Sequence, residues 1–371
     1  MEETVNAYVN EPIELSEARA WRTYLGGKLL EEFYGNSEGQ DGHFPEAWIA
    51  SVVEARNAGR EQIREGLSML IRKPECSLKE LIEAAPEKFL GANHAKRFGA
   101  TPGVLVKLID AAERLTVQVH PDCETAKRLF HSKFGKTECW YVLGGRQDGE
   151  ELPYVYLGFR PGVTEERWKT CFENQDIPGM LDCLHKFEVH PGDMILIEGG
   201  VPHAIGAGCF LMEIQEPTDY TIRVERVTPS GDKVSDQMCH QGLGFEGMFE
   251  CFHYEALERD EVKSRWFIQG CSIKKDEANE VRNLIGKEHT SCFSMNLLTL
   301  QADFHQSLDR FSVLYVLEGS GILESEREEI ELKAGQSFFF PQELKYVIWK
   351  PKEGKTLRLL QCFGPQIEED T

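Results

Sequence analysis

The sequence predicts a mainly β protein made of two barrel-like units, with helical insertions in the first. Three observations carry this. Short apolar and β-branched runs recur at close spacing between Gly and Pro turns, at residues 194–198, 209–215 and 220–226. Such spacing favours an antiparallel sandwich or barrel over a parallel α/β sheet. Helical periodicity is concentrated in insertions near residues 60–95 and 164–186. From residue 291 onward the grammar of the first unit returns: a strand, Gly319-Ser320-Gly321, then Ala334-Gly335-Gln336 before an apolar strand ending at Pro341. The repetition predicts two units of one type, residues 1–257 and 258–371.

Taken in order, residues 9–57 read as a β-rich start, with residues 46–53 (EAWIASVV) as a strand that opens on Glu46. An acidic residue at a strand edge is ordinarily solvated. Leu78, Leu81, Ile82 and Ala85 have the spacing of an amphipathic helix over residues 77–90, opened by a Ser77/Glu80 capping box and stopped at Gly91. Residues 104–110 form a nearly continuous apolar strand, interrupted by Lys107, which the pattern sends to the rim, the alternative being that it holds an anion. Thr116, Gln118 and His120 then alternate with Leu115, Val117 and Val119, so the polar three share one strand face.

A helix-like segment runs from Asp122 to about Phe134, and a second strand opens at Lys136-Thr137-Glu138. Lys136 and Glu138 share a face; Cys139 points the other way and reads as core. Residues 152–160 form a strand, and Thr164 caps a helical insertion that breaks at Pro178-Gly179. Residues 258–290 are polar and read as the connection to the second unit, whose His305 has no metal-ligating partner at matching spacing.

The composition excludes several classes. The 371 residues are 41% hydrophobic and 28% charged, as in an ordinary globular protein. No run of about 18 apolar residues is present, so no membrane span is expected, and the acidic N-terminus is unlike a secretory signal. A net charge of −21 argues against nucleic acid, whose phosphates need clustered Lys and Arg. Eleven cysteines without a C-x-x-C pair read as reduced thiols, several of them buried. The expectation is a reduced, soluble, cytoplasmic protein.

The chemistry-bearing residues are Gln-x-His at 118–120, Glu138, and a distant Pro-His after Gly-Gly at His203. Imidazole, carboxylate and amide oxygen together suit a borderline divalent ion such as zinc. The spacing differs from that of a zinc finger and lacks paired thiols. Three or four N/O ligands with an open position would make the metal catalytic.

The motifs LTVQVHP, GKTECWYV, PGDMILIEGGVPHAIG and MEIQEPTDYTIRV resemble those of type I phosphomannose isomerase, the zinc-dependent mannose-6-phosphate isomerase of the cupin superfamily. The resemblance spans roughly residues 10–226 and extends only loosely to the C-terminal unit. It implies two cupin-type (jelly-roll) barrels, the second without metal ligands, and Zn2+ held by Gln118, His120, Glu138 and His203. It further implies Arg223 and Lys136 as catalytic groups, with Thr116, Glu46 and Glu213 near the substrate. Glu46 matches a Glu-x-x-Trp-like motif, the Trp here falling one position early, at Trp48. The implied reaction interconverts mannose 6-phosphate and fructose 6-phosphate by proton transfer between C1 and C2; which group moves the proton stays open. The implied partner is a small sugar phosphate, with no nucleic acid and no membrane.

The chain departs from the family pattern at three points. Tyr24 stands for a Trp before Gly-Gly, residues 49–57 (IASVVEARN) replace an S/G-x-H segment, and Thr228-Pro229-Ser230 replaces Thr-Pro-Lys. The phosphate end then falls to Arg226, Lys136 or Lys233, or the substrate is a different or unphosphorylated sugar. A non-catalytic sugar-binding cupin is the remaining alternative.

Overall fold

In the computed structural model, residues 1–57, 59–60, 62–146 and 151–367 are described, and four antiparallel sheets with a helical flank stack in layers. The five-stranded sheet runs, in spatial order, Leu184–Glu188, Tyr154–Phe159, His203–Ile205, Gln118–Val119, Ile222–Arg223. Facing it, the seven-stranded sheet runs Phe267–Ile268, Met194–Ile197, Glu138–Gly145, Cys209–Gln215, Leu105–Asp110, Glu46–Ile49, Ala18–Ala20. The period of two explains the packing. Ile109, Trp140, Val142 and Leu211 turn toward the five-stranded sheet and meet Val155, Leu157 and Ile205. Their neighbours Leu108, Cys139, Tyr141 and Met212 turn outward. Each such side chain, once buried, contributes roughly 1.5–3 kcal/mol.

That outward face packs on a nine-stranded sheet that mixes both ends of the chain. Ile13–Leu15, Met69–Leu70 and Lys73–Ser77 extend the C-terminal strands, with Ile13 opposite Phe339 and Leu15 opposite Ser337. The nine-stranded sheet in turn covers a four-stranded sheet (Phe304–Ser307, Tyr346–Pro351, Ser320–Glu324, Glu329–Lys333) over a core of Leu314, Phe338, Phe340 and Trp349. The outer face of the five-stranded sheet is closed by helices whose Trp168, Phe172 and Phe249 pack on Val117, Val119 and Ile222. The molecule is thus mainly β, with two sandwiches of the jelly-roll kind whose sheets are not closed into barrels by hydrogen bonds.

Several local expectations need correction. The strand from Glu46 ends at Ile49, because Ala50 takes a left-handed backbone (φ 47°) that ends the pleat. The Ser77/Glu80 capping box is present, but Pro86 divides the helix into Leu78–Ala84 and Pro86–Leu90, and a third helix, Ala92–Phe98, follows Gly91. Only Gln118–Val119 of the 115–120 segment is laddered. The helix capped by Asp122 ends at Phe130. The Thr164-capped insertion turns at Gln175, also left-handed, while Pro178 lies in the first turn of a second helix, Ile177–Asp182. Residues 258–290 are no plain connection: they hold a helix (Arg259–Trp266) and two strands of the nine-stranded sheet. Among the described residues all eleven cysteines are free, eight of them buried, and no helix is long and apolar enough to cross a membrane.

Candidate metal centre and substrate cavity

The candidate ligands come from facing sheets. In the five-stranded sheet His203 is the register partner of Gln118, and Arg223 pairs Gln118 from the other side. Glu138 begins a strand of the seven-stranded sheet, on the face it shares with Trp140. His120 Nε2 lies 3.2 Å from Glu138 Oε2, and His203 Nε2 3.4 Å from Glu138 Oε1. The three ligand atoms fall within 4.8 Å of one another, and all three residues are buried. Gln118 adds its amide, 3.3 Å from His203 Nε2.

Backbone carbonyls set both imidazole tautomers. His120 Nδ1 donates to the Tyr220 carbonyl (2.7 Å) and His203 Nδ1 to the Val201 carbonyl (2.9 Å), since a carbonyl oxygen only accepts. Each Nε2 therefore presents a lone pair inward, the state a metal needs. Burial, reinforced by the Lys136 charge, holds the His120 pKa down at about 3, and burial also lowers that of His203. Burial pushes the Glu138 carboxyl upward, but Lys136 and then His120 outweigh it and keep the group ionised.

Lys136 Nζ contacts Glu138 Oε2 and lies 2.9 Å from His120 Nε2. On the other side Glu138 Oε1 and His203 Nε2, both acceptors, face each other, and among the described residues Oε1 has no hydrogen-bond partner. A buried acceptor left this way is costly. Two neutral imidazoles, a carboxylate and an amide around one point fit a divalent cation of borderline softness.

Beside these residues is a narrow chamber of about 30 Å³ lined by Thr116, Gln118, Lys136, Glu46, Glu213 and Arg223, and also by Arg22, Tyr24, Lys107 and Asp219. It brings Thr116, Glu46, Glu213, Arg223 and Lys136 to one place. Glu46 and Lys107 correct their sequence readings: the first is 4% exposed and the second 3%. Lys107 Nζ pairs with Glu213 (3.0 Å), and Arg22 Nε with Glu46 (2.9 Å) and Nη2 with Asp219 (3.3 Å). Tyr24 and Trp48 each donate to Glu46 at 2.8 Å, and Trp140 donates to Glu213 at 3.1 Å. Tyr24, the departure from Trp, thus supplies a hydroxyl donor that a Trp lacks.

Burial drives the Glu213 carboxyl upward, aided by the Glu138 charge. Burial also opposes ionisation of Glu46, yet Arg22 and Lys107 prevail and hold it at about 2. Arg223 keeps part of its surface open and donates only to the carbonyls of Thr221 (3.2 Å) and Met238 (3.1 Å); among the described residues no carboxylate pairs with it. Arg226 and Lys233 lie outside the chamber: Arg226 pairs with Asp236 on the surface, and Lys233 is exposed. His305 sits on the exterior against the Tyr346 hydroxyl.

The sequence reading missed Arg22 and Asp219. Arg22 lies two residues before Tyr24 and Asp219 within MEIQEPTDYTIRV, but their pairing spans 197 residues, and only the fold reveals it.

Comparison with known proteins agrees with this architecture. The mannose-6-phosphate isomerase cupin-domain family matches residues 287–348. The chain is 28% identical over 253 residues (67% of this chain, 73% of the relative) to the probable mannose-6-phosphate isomerase GmuF of Bacillus subtilis. It is 34% identical over 139 residues (36% and 42%) to the mannose-6-phosphate isomerase ManA of the same organism. Its fold matches the crystal structure of the Bacillus subtilis mannose 6-phosphate isomerase with a TM-score of 0.70 at 22% identity, covering 95% of this chain and 99% of that one. A putative mannosephosphate isomerase from Archaeoglobus fulgidus matches with a TM-score of 0.70 at 19% identity, over 96% and 98%. The motifs, the layered sheets and the relatives agree, and the chain is similar to mannose-6-phosphate isomerases, whose cupin domain its residues 287–348 match.

Proposed function

We propose that the protein is a zinc-dependent aldose–ketose isomerase that interconverts mannose 6-phosphate and fructose 6-phosphate. The observation that carries this is the charge balance of the chamber taken together with the adjoining ligand carboxylate Glu138. Four buried or partly buried cations (Arg22, Lys107, Lys136, Arg223) face four carboxylates (Glu46, Glu138, Glu213, Asp219). Adding a divalent ion to this neutral set leaves a surplus of two positive charges, the complement of a sugar phosphate dianion.

On this reading Gln118, His120, Glu138 and His203 hold Zn2+, which supplies Lewis-acid polarisation of the sugar oxygens at C1 and C2. Lys136, whose nitrogen touches two of those ligands, holds or moves a proton beside them. Arg223, with no carboxylate paired to it among the described residues, neutralises the charge that develops on the enediolate. Glu213 and Glu46, fixed by Trp140, Lys107, Tyr24 and Arg22, orient sugar hydroxyls together with Thr116. Residues 1–257 supply all of these groups, and residues 258–371 are read as a second cupin-like unit that backs the first. A coupled assay with mannose 6-phosphate, glucose 6-phosphate and unphosphorylated mannose as competitors tests the assignment. Preference for mannose 6-phosphate is expected; faster turnover of another sugar would replace the substrate, and no turnover of any would favour a binding role.

A further inference from the structure

The chamber, at about 30 Å³, is far below the ~300 Å³ at the small end of ligand sites. A six-carbon sugar phosphate cannot lie within it whole, so the part remote from the reacting carbons has to sit in adjoining space. An open cavity of about 590 Å³ adjoins it. Asp219 lines both spaces. Arg22 Nη1 donates to Asn57 Oδ1 (3.3 Å) and Arg223 Nη1 to the Met238 carbonyl (3.1 Å), and Asn57 and Met238 both line the outer cavity.

The outer cavity carries one cation, Arg56, which is exposed and has no carboxylate partner among the described residues. Its backbone N–H donates to Asp219 Oδ2 (2.8 Å), which pins the loop, and its guanidinium lies 4.7 Å from the centre of the Tyr220 ring. The acidic groups of the cavity are engaged elsewhere: Glu54 with Lys79 (3.0 Å) and Arg64 (3.5 Å), Asp219 with Arg22 (3.3 Å). The Tyr220 carbonyl in turn accepts from His120 Nδ1. Arg56 is therefore two contacts from a candidate metal ligand, yet faces open space.

We propose that Arg56 is the specificity residue for the substrate's phosphate, holding the dianion in the outer cavity while the C1–C2 end reaches the chamber. This rests on the isomerase reading. It also gives a function to residues 55–57, Ala-Arg-Asn, within the segment where the chain departs from the family's S/G-x-H. A guanidinium stacked on an aromatic ring keeps its N–H fork free at the edge, and the stacking limits the rotamer freedom lost on binding.

The test compares the metal-loaded wild type with Arg56→Gln and Arg56→Lys, reading KM and kcat for mannose 6-phosphate together with the affinity for inorganic phosphate by 31P NMR. Arg56→Gln is expected to raise KM about 10–100-fold with kcat within about threefold, and to weaken phosphate binding by a similar factor. Arg56→Lys is expected to recover part of both, and it decides the matter if the Gln variant fails to melt cooperatively. Unchanged KM and phosphate affinity, or a fall in kcat alone, would overturn the proposal. A wild type that binds phosphate through Arg56 but does not turn over mannose 6-phosphate would sink the isomerase reading and leave the phosphate site standing.

Discussion

Gln118 and His203 are register partners on adjacent antiparallel strands, with their Nε2 atoms 3.3 Å apart. His203 Nε2 is an acceptor, so the Gln118 amide donates to it; a half-turn of the carboxamide presents its oxygen to the same point. Two candidate ligands 85 residues apart in sequence are thus held by one ladder pairing, while Glu138 approaches from the facing sheet.

His203→Ala removes an inward lone pair and leaves the remaining ligands unable to close the site. Metal content measured by elemental analysis is expected to fall from near one ion per chain to a small fraction, and isomerase activity by more than about 100-fold. Retained metal with full activity would remove His203 from the ligand set.

Lys136→Met separates proton handling from metal binding. The side chain is similar in length but cannot carry a proton. Turnover is expected to drop about 10²–10⁴-fold while metal content stays near the wild-type value. A kcat within threefold of wild type would remove Lys136 from proton handling and from any electrostatic role in turnover.

Much of this site was legible in the chain. The alternation of Thr116, Gln118 and His120 with apolar residues put three polar groups on one face, and the structure brings Thr116 and Gln118 to the chamber and His120 to the ligand cluster, although only Gln118 of the three is laddered. Lys107 and Glu46 were harder to read, because a charge in an apolar strand looks like a rim residue until its partner is known. Their partners, Glu213 and Arg22, lie on other strands and loops. The tie between the N-terminal strands and the C-terminal sheet had no sequence signal either. Three-residue strands such as Ile13–Leu15 carry too little periodicity, and their partner lies more than 300 residues away.

The buried Arg22–Glu46 pair makes the fold acid-sensitive. Burial opposes the Glu46 charge, but Arg22, Lys107 and the Trp48 and Tyr24 donors hold its pKa at about 2, against an ordinary 4.5. Between these pH values the unfolded chain binds the proton and the folded one does not. The contribution, on the order of 3 kcal/mol, is therefore complete above about pH 4.5 and is lost as the pH falls toward 2. Urea titrations of the wild type and Glu46→Gln across this range check it. The variant is expected to be less stable at pH 7 by about 3 kcal/mol and to lose less on acidification; parallel pH profiles would contradict the assignment.

Phe339 lies fully buried on the nine-stranded sheet, in the core shared with the seven-stranded sheet that carries Glu138. Phe339→Ala is expected to cost about 3–5 kcal/mol in chemical denaturation and to leave metal stoichiometry unchanged in the folded fraction. A loss below 1 kcal/mol would mean the two sandwiches are not packed through this core.

The central claim, that a divalent ion held by Gln118, His120, Glu138 and His203 serves mannose 6-phosphate isomerisation, is tested most directly by one coupled assay. Mannose 6-phosphate turnover is measured on the purified protein, after removal of metal by a chelator, and after zinc is returned. The account predicts activity, loss of nearly all of it, and recovery with about one zinc per chain. Full turnover by the metal-free protein would contradict it.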